Sequence, residues 1–327
     1  MPIPSSFADR LRLPVVAAPM FLVSGPTMLI ENCRHGVVGS LPALNQRTSE
    51  GFEQWLVEIN ESLARWRRDS GRQPAPYGIN LIVHKTNPRL EADLALCIRH
   101  KVPLVITSLG AVPELVEAVH GYGGLVFHDV TNRHHGEKAA AAGVDGLIAV
   151  CNGAGGHAGT VNPFALVQEL RSFFDKTLLL AGCINSGSDI AAALQMGADL
   201  AYMGTRFINT GESDAIPEYQ QMVIECSSSD VVYTPAVSGI PANFMAPSMA
   251  ANGYDLARLN RPGDIDYGSK LVPDNDEAKA WKTVWSAGQG CSGISDVVPV
   301  ASLVERLHSE FIAALETQAG RLQQWRD

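Results

Sequence analysis

The sequence predicts an α/β protein, a (β/α)8 TIM barrel with a smaller C-terminal capping insertion. Three observations carry that reading: eight short apolar runs recur through the first two-thirds of the 327 residues, a stretch of helical pattern follows them, and those stretches run to a Gly near their ends. In chain order the runs are VVAAPM (15–20), GVVGSLPAL (36–44), YGINLIV (77–83), PLVITSLG (103–110), GLVFHDV (124–130), GLIAVC (146–151), TLLLAGCI (177–184) and LAYMGTRF (200–207). Strands that are apolar throughout suit a parallel sheet covered by helices, and eight of them favour a closed barrel over an open doubly wound sheet.

Between the runs lie helical patterns such as PELVEAVHGYG (113–123), RHHGEKAAAAGVDG (133–146) and SGSDIAAALQMGADL (186–200). An internal echo supports the repeat: AAAAGVDGLIAV (139–150) and AALQMGADLAYM (192–203) both read helix, Gly, small residue, Asp, strand. The echoed Asp145 and Asp199 fall at strand entrances, the end opposite to barrel active sites, and are read as structural. After Phe207 the pattern changes to a Ser/Pro/Asn-rich stretch, followed by an amphipathic helix, VASLVERLHSEFIAALETQ (300–318). The expected division is a barrel of residues 1–208 and 296–327 and a cap of residues 209–295.

Composition excludes several classes. The longest apolar runs are a handful of residues, far below the roughly 20 needed to cross a bilayer. The opening MPIPSSFADRLRLP lacks the apolar core of a signal peptide, so a cytoplasmic setting is expected. Six cysteines without a CxxC pair suit free thiols in a reducing compartment, and no metal site is indicated. A net charge of −9, with one short basic stretch at 65–68, argues against a nucleic-acid partner. Whether the chain pairs into a homodimer is open at this point.

In such a barrel the chemistry sits where strands end. The last two runs end in Ala181-Gly182-Cys183 and Met203-Gly204-Thr205, where Gly lets backbone N–H groups approach a phosphate. Asn185-Ser186-Gly187 then opens a helix whose N-terminus adds partial positive charge. Taken singly, either Gly site could equally be a tight turn. The sixth run leads into Cys151 to Gly159, a loop too Gly-rich for packing, where Gly155 and Gly156 precede one imidazole, His157. A lone His is usually structural, but this placement raises His157 above His84, His100, His134 and His135. Ala18-Pro19-Met20 offers an apolar wall for a flat ring, and the Asn80 amide suits a heterocycle edge or a turn. His128, near the end of the fifth run, is similarly ambiguous.

The set APM, GIN, AGGHAG and MGTRF, in order along most of the chain, resembles the FMN-dependent nitronate monooxygenases, formerly 2-nitropropane dioxygenases. The segment KAWKTVWSAGQG (279–290) resembles that family's SAGQ segment. The resemblance implies FMN on the barrel mouth, its phosphate at Gly182, Gly204 and Thr205, its ring contacted by Met20, Asn80 and Gln289, and His157 on the substrate side. Ala18, Pro19, His128, Gly155, Gly156, Ala181, Cys183 and Met203 complete the implied cofactor set. Two departures stand out: Gly182-Cys183 where many relatives have Gly-Gly, and His128 where several have Lys. The implied reaction is oxidation of an alkyl nitronate, with dioxygen, to a carbonyl compound and nitrite. Tyr233, Tyr254 or Tyr267 is expected in the cap. A flavin-dependent NAD(P)H reductase acting on enoyl-acyl-carrier-protein or quinone is the alternative on the same scaffold, and a flavin-free phosphate-ligand barrel is the second. No GxGxxG follows a strand.

Overall fold

A strand buried on both faces needs apolar side chains on both, and the eight runs supply them. In the computed structural model, which describes residues 3–237, 239–256 and 283–326, each run contains one strand of a single parallel sheet. These are β1 (Val15–Ala17), β2 (Gly39–Pro42), β3 (Tyr77–Ile82), β4 (Leu104–Ser108), β5 (Leu125–Val130), β6 (Gly146–Val150), β8 (Thr177–Ala181) and β9 (Leu200–Met203). Their order is β1-β9-β8-β6-β5-β4-β3-β2, and a parallel bridge between Val16 and Val38 joins the two ends into a barrel. The second run is the most shortened, because Gly36 turns the chain at φ +82° and Ala43–Asn45 forms a 3-10 turn.

Alternation along the strands sorts the side chains into two layers. Val16, Val38, Leu104, Ile106, Phe127, Ile148, Leu179 and Leu200 fill the barrel interior. Phe7, from α1 (Ser5–Ala8), packs into the same cluster with its ring 6.1 Å from Phe127. Val15, Ile79, Val105, Val126, Leu147, Leu178 and Ala201 face the helical layer instead. That layer comprises α2 (Pro26–Arg34), α3 (Ser49–Ser70), α4 (Leu90–Arg99), α5 (Pro113–His120), α6 (Arg133–Ala141), α7 (Pro163–Arg171) and α8 (Gly187–Gln195). Asp145 and Asp199 do sit at strand entrances: Asp145 accepts the Val126 N–H at 2.9 Å, and Asp199 accepts the Leu178 N–H at 2.8 Å and pairs with Arg171.

Beyond β9, the chain forms α9 (Thr205–Ile208), α10 (Pro217–Glu225), the antiparallel pair β10 (Val231–Thr234) and β11 (Ala242–Met245), and α11 (Ala246–Ala251). β11 also pairs with β7 (Gly156–His157), a two-residue strand in the loop after β6. The last helix, α12 (Val300–Leu322), packs back on α8. The approach is so close that a Cβ on Gly187 would collide with the Leu307 carbonyl oxygen and the Phe311 nitrogen, both backbone atoms.

Gly187→Ala is therefore expected to cost about 1–3 kcal/mol, the usual range for overpacking. Urea unfolding measures it, and an unchanged midpoint would contradict this packing.

Candidate active site

At the C-terminal ends of the strands lies a cavity of about 1100 Å³, lined from the loop after β1 through to the segment 284–290. An ordinary small-ligand pocket holds about 300–1,000 Å³, so this one has room for a cofactor and a second molecule. Ala18, Pro19, Met20, Asn80, His128, Gly155, Gly156, His157, Ala181, Gly182, Cys183, Gly204 and Thr205 all line it. Met203 and Gln289 do not. Met203 is buried in the layer between sheet and helices, and its carbonyl accepts the Ala18 N–H at 2.9 Å. Gln289 is exposed, with its carboxamide oxygen over Gly153, while its neighbours Gly288 and Gly290 reach the cavity.

The wall after β1 is held by Asn45, which was not apparent from the sequence. Its amide donates to the carbonyls of Met20 and Ser24, its oxygen accepts the Leu22 N–H, and the Ser24 hydroxyl accepts the Met20 N–H. Opposite this wall, Gly182 turns at φ +132° and Cys183 at +58°. A left-handed residue with a Cβ costs about 1–2 kcal/mol, and here the strain falls on the departure from Gly-Gly. The turn is thus kept but gains a thiol. Cys183 is exposed and the other five cysteines are buried; partial burial raises its pKa, with Asp189 adding to the shift. A Cβ on Gly204 would lie 3.5 Å from the Met20 sulfur, so cradle and wall converge.

The N-terminus of α8 does not add open positive charge as expected. Glu310 of α12 accepts the Gly187 N–H at 2.8 Å, and Asp189 accepts those of Asn185 and Ser186 at 3.0 Å. Two carboxylates already satisfy that helix end. One of them comes from residue 310, which no local pattern announces.

His157 stands on β7 opposite Ala242, with Gly156 opposite Asn243. The Gly-rich loop that carries it is clamped: the Asn243 amide donates to the Ala154 carbonyl at 2.7 Å and the Tyr233 hydroxyl to the Ala158 carbonyl at 3.0 Å. On its other side runs the segment 285–290. The Gly288 N–H donates to the Thr205 hydroxyl and the Gln289 N–H to the Gly153 carbonyl, both at 2.9 Å. A Cβ on Gly155 would lie 2.9 Å from the Gly288 nitrogen, so only backbone fits between. The Ser286 carbonyl takes the Tyr219 hydroxyl, whose ring stacks on Trp285 at 5.2 Å. Tyr233 and Tyr219 line the cavity, Tyr254 packs beside a separate cluster around Phe244 and Met249, and Tyr267 lies outside the described residues, as do 279–282.

On β5 the side chains split. Phe127 faces the barrel interior, so Asp129, two residues on, shares that face. His128 points the other way and its Nδ1 lies 2.7 Å from the Thr107 hydroxyl; burial pushes its pKa down to about 4, leaving the ring neutral. Asp129 lines the cavity and accepts the Ser108 hydroxyl proton, while Ser108 accepts from the Asn80 amide at 2.9 Å. Asp129 was missed in the sequence, and the interior phase of the strand is the signal that locates it.

The model of the nitronate monooxygenase family matches residues 54–310. The chain belongs to that family. A provisionally named monooxygenase of Mycobacterium tuberculosis is 32% identical, over 78% of this chain and 70% of that protein. The nitronate monooxygenase of Paraburkholderia phytofirmans is 26% identical over 93% of both. The structure of a nitroalkane oxidase from Streptomyces ansochromogenes superposes with a TM-score of 0.78 at 24% identity, covering 96% of this chain and 100% of that one, which shows the fold alone. Family membership makes the chain a flavin-dependent oxidoreductase and sets aside the flavin-free barrel. The residues fit a flavin: a Gly cradle at the ends of β8 and β9, an apolar wall at Ala18 to Met20, and buried polar atoms without partners among the described residues, Ser286 Oγ and Asp129 Oδ1, on cavity-lining residues. Among the described residues no cluster of His, Cys, Asp and Glu could hold a metal, and no helix is long and apolar enough to cross a membrane.

A maleimide added to the native protein is expected to modify one thiol of six, Cys183, and saturating flavin to slow the reaction at least about tenfold by covering the cradle. Peptide mapping reads the site. Labelling elsewhere, or no protection, would contradict the geometry.

Proposed function

We propose that this protein is an FMN-dependent nitronate monooxygenase, taking an alkyl nitronate and dioxygen to a carbonyl compound and nitrite, without a nicotinamide. The observation that carries the reading is His157 fixed on β7 by its pairing with β11, in one cavity with the Gly182 and Gly204 turns and with room for two molecules. FMN, rather than a flavin without phosphate, is proposed because Gly182, Gly204 and Thr205 form the turn geometry that accommodates a phosphate. When bound, it supplies the electron chemistry that side chains lack.

The chain's own residues then do three things. Met20 and the loop held by Asn45 give one apolar wall. His157, on a strand rather than a free loop, offers an imidazole to the substrate's anionic oxygens, and acts as base where the neutral nitroalkane is taken instead. From the region 209–295, proposed as the cap, Tyr219, Tyr233 and Trp285 line the cavity and define the substrate's side of it.

Anaerobic mixing of the flavin-loaded protein with propionate 3-nitronate is expected to bleach the flavin band, whereas NADH and NADPH leave it unchanged. Reduction by a nicotinamide alone would move the protein to the reductases. His157→Asn is expected to lower kcat/KM for the nitronate by about 10²-fold or more, as loss of a positioned acid–base group does, and an unchanged value would remove His157 from the reaction.

A further inference from the structure

On the cavity floor, three strands each contribute one polar side chain in a row: Asn80 from β3, Ser108 from β4 and Asp129 from β5. The hydrogen bonds in this row have a fixed direction. Asn80 Nδ2 donates to the Ile106 carbonyl at 3.2 Å and to Ser108 Oγ at 2.9 Å. Ser108 has one proton, and it goes to Asp129 Oδ2. Oδ2 is therefore the accepting oxygen. Oδ1 is buried and has no hydrogen-bond partner among the described residues, so a proton on this carboxyl is placed on Oδ1 and finds no acceptor among them.

We propose that Asp129 is the proton donor of the barrel floor, using Oδ1–H to bind a hydrogen-bond-accepting edge of the flavin ring, where a fixed cation would otherwise stand. This rests on the flavin reading above. It adds Asp129 at the end of the fifth run, beside the His128 that the sequence singles out.

The charge environment agrees. Burial raises the Asp129 pKa to about 6, the Ser108 hydrogen bond pulls against that rise, and no cation offsets it. Tyr202, facing it from β9, is pushed well above its ordinary range by burial and by Asp129, and stays neutral. His128, on the opposite face of β5, is neutral above about pH 4. His135 and Lys138 on α6 and His157 on β7 border the same cavity. The carboxyl is thus a donor below about pH 6 and a buried anion facing an acceptor above it. Flavin affinity should weaken as pH rises through that value.

Asparagine reproduces the protonated acid at this position, with its oxygen toward Ser108 and its amide donating to the floor, and it does not titrate. The test is the dissociation constant of FMN for the flavin-stripped wild type and Asp129→Asn, from flavin fluorescence quenching between pH 5 and 8. The other titratable groups around the cavity are the same in both proteins and cancel in the ratio. Wild type and Asp129→Asn are expected to bind alike at pH 5, and wild type to become weaker by between about tenfold and a hundredfold at pH 8, the fall in its competent fraction. Ser108→Ala, which removes the bond that lowers the pKa, should move the crossover to higher pH. A ratio flat with pH, or Asp129→Asn weaker than wild type at pH 5 with native circular dichroism, overturns the proposal. Failure of wild type to bind FMN at any pH overturns the flavin reading itself.

Discussion

A closed parallel barrel offers its mouth only every second residue of each strand, and the chemistry here depends on that parity. The phase that places Phe127 against Phe7 in the interior also brings Asp129 to the floor and sets His128 on the other face of the strand, against Thr107. Asn80, Ser108 and Tyr202 reach the cavity by the same rule, and the parallel register sets Asn80 level with Ile106, two residues before Ser108, close enough for its amide to reach the Ser108 hydroxyl. A one-residue slip in any of these strands would exchange a polar floor for apolar side chains and bury the polar ones among the helices.

Above this floor, precision comes from backbone meeting backbone. Gly155 and Gly288 pass so closely, with Thr205 beside them, that a Cβ on either would meet backbone atoms of the other segment at 2.9 Å or less. The loop carrying His157 gains a second hold from β11, so a segment whose composition reads as flexible is fixed on both sides. Orientation of one imidazole is thus distributed over three segments far apart in sequence. The left-handed Cys183 shows the same constraint from the opposite side: the turn is retained even where the residue opposes it.

The strands were legible because their apolar runs are short, frequent and bounded by Gly, Pro or Asn, and the Gly positions after β8 and β9 followed from them. The parity of β5 was not legible, since a strand buried on both faces carries no hydrophobic alternation to set its phase. His128 and Asp129 look equally placed until Phe127 is seen packing inside. β7 is two residues long, too short for any periodic signal, and its pairing with β11 spans more than eighty residues of chain. Glu310 at the N-terminus of α8 is likewise a long-range contact, which is why a helix end that reads as an anion site turns out to hold a carboxylate of its own chain.

The central claim is that the ends of β8 and β9 hold the phosphate of a flavin whose ring lies on this floor. Comparing FMN with riboflavin for binding to the flavin-stripped protein, at one pH and salt concentration, tests it most directly. The account predicts FMN to be tighter by roughly 30-fold or more, since each charge-assisted hydrogen bond to the phosphate is worth about 1.5–3 kcal/mol. Equal affinity for the two flavins would contradict it.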